Sequence, residues 1–136
     1  MKRTATRWIA VVVSMVLQLG CAEINVTGPR VEIEPGVVNT TDSFVFQAAG
    51  LQNVTQTTEY VWQNTGTVAN VTQNSNITSG TATLRIRDSA GTQVYSNTLA
   101  ATGTVATSAG TSGNWTIEVV LTNVTGTVSF TVQKRP

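Results

Sequence analysis

The chain has 136 residues, of which 11% are charged, with one cysteine and no histidine. Without histidine, no Ser-His or Cys-His nucleophile pair and no imidazole metal site can be assembled, and one cysteine allows no intramolecular disulfide. Three of the eight basic residues, Lys2, Arg3 and Arg7, stand at the start, so the rest of the chain carries five basic side chains against seven acidic ones, a net charge of −2. No basic cluster is left there to neutralise a polyphosphate backbone, so nucleic acid is not an expected partner.

Behind those first charges runs an apolar stretch from Trp8 to Leu19, WIAVVVSMVLQL. A basic start followed by an apolar run of this length is the pattern of a secretory signal, and the run is shorter than the roughly 20 residues needed to cross a bilayer core. The following residues, Leu17-Gln18-Leu19-Gly20-Cys21-Ala22, resemble the lipobox of bacterial lipoproteins. There a small residue precedes a cysteine that takes a diacylglycerol on sulfur and becomes the new N-terminus. Gly20 and Cys21 carry the resemblance; Gln18 and Leu19 are where the chain departs from it. The resemblance implies lipid attachment at Cys21, a membrane as partner and a place in the cell envelope. Ala22, in a position where Asp retains family members at the inner membrane, implies the outer membrane. The competing expectation is cleavage after Gly20-Cys21-Ala22, which discards the cysteine and frees a soluble secreted or periplasmic protein. The organisation expected is a signal over 1–20, a lipid-anchored tether over 21–30 and one β domain over 31–136, a size that holds a single core.

From there the chain alternates with period two. Val31 to Gly36 (VEIEPG) reads as a short strand closed by a Pro-Gly turn. Asp42 to Gln47 and Thr58 to Asn64 each place aromatics two apart, Phe44 with Phe46 and Tyr60 with Trp62, hence on one strand face. Asn64-Thr65-Gly66-Thr67 reads as a turn into a strand over Val68 to Thr72. Thr81 to Arg87 and Thr92 to Ser96 form a hairpin through Asp88-Ser89-Ala90-Gly91, with Ala82, Leu84, Ile86 and Val94 inward. Ala100 to Gly113 offers a weak strand and then a flexible loop. Finally, Trp115, Ile117, Val119 and Leu121 share one face of a strand. Val128, Phe130 and Val132 share one face of the next, and Asn123-Val124-Thr125-Gly126 between them predicts a C-terminal hairpin.

Eight or nine short strands without helical periodicity predict an all-β chain, a single antiparallel β-sandwich of jelly-roll-like or immunoglobulin-like type, though without the Cys, Trp and Cys spacing of a true immunoglobulin domain. The string from TEYVWQN through GTATLRIRDSAGTQVY to SGNWTIEVVLTNVTGTVSFTVQK resembles small uncharacterised bacterial lipoproteins and, more distantly, sandwich domains appended to secreted peptidases. That likeness implies a fold and brings no active site.

The chemistry-bearing residues are few. Lys134, the only lysine after the signal, stands too near the chain end to be a desolvated base. Glu59, Glu118, Asp42 and Asp88 are the acids from which a carboxylate-based hydrolase would have to be built, and they read as solvated. Glu32 and Glu34 share a strand face, but no Asp-rich loop gathers the oxygens calcium requires. No cofactor, metal or catalytic residue is therefore expected. Tyr60 and Trp62 would stack on sugars if they faced outward, yet their parity assigns them to the core. Seven Asn-x-Thr triplets, at Asn25, Asn39, Asn53, Asn70, Asn76, Asn114 and Asn123, follow from Thr on exposed strand faces and Asn in turns. Arg85 and Arg87 are a close basic pair on one outer face, either solubilising charges or a fork for a partner's carboxylates. The expectation is a non-enzymatic envelope lipoprotein whose sandwich is a structural or interaction module for an envelope protein or glycan. A carbohydrate- or small-ligand-binding module is the alternative, and a carboxylate hydrolase the more distant one.

Overall fold

The computed structural model describes residues 34–136. Their regular structure is entirely β: β1 (Gly36–Thr40), β2 (Ser43–Asn64), β3 (Ala69–Gln73), β4 (Asn76–Arg87), β5 (Gln93–Thr98), β6 (Gly103–Ala106) and β7 (Gly113–Lys134). Two of the seven strands, β2 and β7, are 22 residues long. They pair antiparallel from Ser43 opposite Gln133 to Asn64 opposite Gly113, with register shifts only between Ala48 and Gln56. The predicted C-terminal hairpin is therefore corrected: residues 114–134 belong to one strand, and 123–126 mark a bend in it. Likewise Asp42 to Gln47 and Thr58 to Asn64 are the two ends of β2, which is why seven strands replace a count of eight or nine.

The bend is built from the residues that looked like turns. Asn53 and Asn123 take φ of 52° and 49°, and Gly50, Gly80 and Gly126 take φ of 67°, 80° and 129°. An extra residue held in a left-handed conformation makes a bulge, which kinks a strand and increases its twist without reversing it. The bulges also change the inward parity of β7 from odd at Leu121 to even at Val124. Side-chain bonds pin the kink: Thr55 Oγ1 accepts from Asn123 N at 3.0 Å, and Thr125 Oγ1 accepts from Asn53 N at 3.0 Å.

Folded at this bend, the β2–β7 ribbon contributes one half of each strand to each layer of a β-sandwich. In the first sheet the order is β1, β2, β7, β3, β6; in the second, β4 flanks the other half of β7 and β5 pairs with β4. All of these pairings are antiparallel. The β4–β5 hairpin and the strand after the 64–67 turn stand where the sequence puts them. The first strand does not. Val31 to Ile33 lie outside the described residues, and β1 begins at Gly36, so Pro35 and Gly36 open a strand where the sequence suggested they end one. Proline has no N–H to give a ladder, which suits the position just before β1.

The two halves of the ribbon face one another through aromatic rings. Phe130 stacks on Phe46 with centroids 5.0 Å apart, and Tyr60, from the opposite half of β2, meets Phe44 at 5.3 Å. Trp62 and Trp115, opposite each other in register, meet edge to face at 5.9 Å, and each indole N–H donates to a carbonyl, of Thr40 and Thr111 respectively. Every residue assigned inward by alternation in β4, β5 and β7 is buried, as are Phe44, Phe46 and Trp62 of β2. At one side lies buried Gln73 at the end of β3; with its amide oriented so that oxygen and nitrogen each meet a complementary group, it accepts from Tyr95 Oη at 3.1 Å and donates to Ala101 O at 3.1 Å, tying the two sheets together.

Truncating Trp115 or Phe130 to Ala should cost about 3–5 kcal/mol, whereas Thr116→Ala and Ser129→Ala should stay within about 0.5 kcal/mol. Equal losses at both parities in denaturant unfolding would contradict the alternation. The bend has its own check. A Cβ at Gly80 would collide with the Asn123 carbonyl, while one at Gly50 meets open space, and both residues carry positive φ. Gly80→Ala should therefore lower Tm well beyond Gly50→Ala.

Candidate functional site

The outer face of the second sheet gathers the predicted basic pair. Register sets Glu59 opposite Glu118, Glu118 opposite Arg85 and Arg85 opposite Ser96, a row running across four strands. The next row holds Val61, Thr116 and Arg87. Directly opposed glutamates repel, and the arginines answer them: Arg85 Nη1 lies 3.1 Å from Glu118 Oε1, and Arg87 Nη2 reaches Glu59 Oε1 at 2.8 Å. The Arg85 and Arg87 side chains remain 47% and 39% exposed. Each is held by one contact, so N–H donors are left over for a second acceptor. Glu118 beside the pair agrees with the reading of the arginines as solubilising charges next to an acid on another strand; what the sequence left unseen is that Glu59, far away in the chain, supplies Arg87 with a carboxylate as well. The result is a neutral quartet of alternating charge, with Glu118 the most sheltered member.

The other two candidate acids serve the fold. Asp88, buried in the β4–β5 turn, accepts from Ala90 N and Thr92 N through Oδ1 and from Thr111 N through Oδ2, at 2.8–3.0 Å. One side chain thus closes the turn and fastens the loop leading to β7. Asp42, with φ of 67° in the β1–β2 turn, accepts from Thr65 N at 2.7 Å and Thr65 Oγ1 at 2.8 Å, and pairs with Lys134 Nζ at 3.3 Å. The backbone N–H of Thr111 beside Asp88, and that of Thr65 beside Asp42, hold both carboxyls below the ordinary aspartate value. That direction is the reverse of the raised pKa a general acid requires. Among the described residues no three acids or cysteines come together as a metal site; Glu32, and with it the Glu32 and Glu34 pair, falls outside them.

The aromatic pair offers no platform for a sugar ring, because Trp62 is buried and Tyr60 is half-buried against Phe44 and Phe46. Burial also pushes the Tyr60 hydroxyl up in pKa. The Asn-x-Thr triplets divide by role: Asn53 and Asn123 supply the bend, and Asn39 Nδ2 donates to Val61 O at 2.9 Å. Unforeseen is an open groove of about 570 Å³ at the unbent end, lined by Gly66, Thr67, Val68, Lys134, Arg135 and Pro136. Its only sequence signal was the Lys134-Arg135 pair. Lys134 is engaged by Asp42 and by Thr65 Oγ1 at 3.0 Å, so it braces the turn cluster.

Compared with protein-family models and with curated proteins, the chain matches none.

Because the folded-state pKa values of Asp42 and Asp88 lie below the ordinary 3.8, the stability they contribute is complete above that value and is lost as pH falls beneath it. Tm should hold from neutrality to about pH 5 and then drop on acidification. Asp88→Asn should lower Tm at pH 7 and make the acid drop shallower. An unchanged acid limb would remove Asp88 from the account.

Proposed function

We propose that the protein is a non-enzymatic lipoprotein of the cell envelope, anchored through a diacylglyceryl group on Cys21, whose β-sandwich serves as a structural or interaction module. The observation that carries this reading is the order basic start, apolar run, Gly20-Cys21. It is supported by a β domain whose first described strand begins at Gly36, a short tether's length in sequence beyond the cysteine. Ala22 favours the outer membrane. Acyl chains hold a protein to a bilayer at about 0.8 kcal/mol per buried methylene, so multiple chains make the attachment durable.

The acids support the non-enzymatic part of this reading, since two are spent as turn caps and two as partners of arginine. On this reading the Arg85 and Arg87 face is the side offered to an envelope protein or glycan. A partner's carboxylates would take up the free donors of each guanidinium or displace Glu118 and Glu59.

Metabolic labelling with a fatty acid tests the anchor. Wild type should incorporate label and fractionate with membranes, and Cys21→Ser should lose both properties. An unlipidated mature N-terminus at Glu23 would overturn the proposal. For the charged face, the double change Arg85→Ala with Arg87→Ala should leave Tm nearly unchanged, because exposed ion pairs are worth about 0–1 kcal/mol. It should also abolish salt-sensitive capture of the envelope components that co-purify with wild type. Capture that persists undiminished at low ionic strength would assign the arginines to solubility alone.

A further inference from the structure

The two sheets carry charge very differently. Among the paired strands of the first sheet the only charged residue is Lys134, at the end of β7, whereas Glu59, Glu118, Arg85 and Arg87 all stand on the outer face of the second. Contacts there join opposite signs, but the strands separate them: both acids lie on β2 and β7, and both arginines on β4. The face is therefore neutral in sum and dipolar across its strands. Val61, on the same face of β2 as Glu59, adds an apolar side chain that is 64% exposed.

Each charge has binding capacity to spare. The ion pairs use Arg85 Nη1, Arg87 Nη2 and the Oε1 atoms of Glu118 and Glu59, which leaves the second carboxylate oxygens and the other guanidinium donors open to a partner. The order of the charges decides what fits. A uniformly acidic chain would meet Glu59 and Glu118 as well as the arginines, and a uniformly basic one the reverse, so each loses on one half of the face what it gains on the other. A matching surface places bases on the β2–β7 side and acids on the β4–β5 side. This same face, turned over about an axis along its strands, is such a surface.

We propose that this face pairs with the same face of a second copy, the two sheets stacked about a two-fold axis that runs along the strands between β7 and β4. The inference rests on the reading of the arginine face as the recognition surface and names its partner. Such an axis keeps each cross-strand row level with itself and reverses its order. Arg85 then lies over Glu118 of the second copy and Glu118 over its Arg85, while Arg87 has the same Glu118 of the second copy within reach. An axis across the strands would instead set glutamates over glutamates and arginines over arginines, so charge selects the orientation as well as the partner. Four strands about 4.8 Å apart and about six residues long present roughly 400 Å² of plane per copy. With the relief of the side chains the pair buries on the order of 1,000 Å², the lower limit of a specific interface. At that size the charges decide whether the copies hold, which makes the pairing sensitive to salt.

The test is co-capture between two full-length copies that carry different affinity tags, solubilised in a mild non-ionic detergent. Wild type should capture wild type at an ionic strength of about 0.01 M, and raising it to about 1 M, which shortens the Debye length from about 30 Å to about 3 Å, should reduce capture at least about tenfold. Two neutralised variants separate pairing between copies from pairing within one. Glu59→Gln with Glu118→Gln leaves a face of charge +2, the two arginines, and Arg85→Gln with Arg87→Gln leaves one of −2, the two glutamates. Each variant alone should capture itself at least about tenfold less than wild type does, and the two mixed should capture each other at or above the wild-type yield. The ion pairs within a copy are missing from both variants, so recovery on mixing reads contacts between copies alone. Tm should stay close to that of wild type, because exposed ion pairs contribute little. If a double variant lowers it, the single changes Glu118→Gln and Arg85→Gln take its place, with the same order of yields expected. Three results would overturn the proposal: wild type that fails to capture itself at low ionic strength, capture that salt and neutralisation leave unchanged, or variants that recover nothing on mixing. Should the first occur while Arg85→Ala with Arg87→Ala still abolishes capture of other envelope components, the face stands as a recognition surface for a different partner and only its self-pairing falls.

Discussion

Continuous antiparallel pairing of β2 with β7 is the constraint on which the other elements depend. β7 has a neighbour on each side along nearly its whole length, β2 on one and β3 followed by β4 on the other. Because the ribbon bends, one pair of strands supplies the centre of both sheets, and its inward residues build the core from both directions. Phe130 and Trp115 are widely separated in sequence, but each has an aromatic opposite it on β2, Phe46 and Trp62. The bend itself depends on Asn53, Asn123 and a few glycines that accept positive φ, the conformations most L residues avoid.

This arrangement explains what could be read from the sequence. Side-chain parity is a local property, so Trp115, Ile117, Val119, Leu121, Phe130 and Val132 could be assigned to the core without knowing what they pair with. The β4–β5 hairpin was equally legible, because Asp88 and Gly91 specify a reversal between two alternating runs. Asn123 and Gly126 misled for a physical reason: a left-handed backbone suits a turn and a bulge alike. A distant choice decides between them, namely whether each half of β7 pairs with the other half or with β2, and no local pattern encodes that. Similarly, Pro35-Gly36 marks a break in the ladder but not the side on which the strand lies.

The same logic applies to the charged residues. Arg85 and Arg87 were recognisable as a pair on one outer face. Glu59 lies far from them in sequence and reaches Arg87 only because β7 brings β2 and β4 together. Asp88 and Asp42, candidates for chemistry by residue type alone, turn out to be bound by backbone N–H groups. Asp42, Asp88, Glu59 and Glu118 are thus each engaged within the fold.

Backbone contacts measured by NMR would test the bent ribbon most directly. Cross-strand contacts should join Phe46 to Phe130 and Trp62 to Trp115 along one antiparallel pair of strands, on either side of the bulges, with no backbone contact between Leu121 and Val128. Backbone contacts pairing Leu121 with Val128 and Val119 with Phe130 would instead describe a hairpin closed at 123–126 and would contradict the bent ribbon.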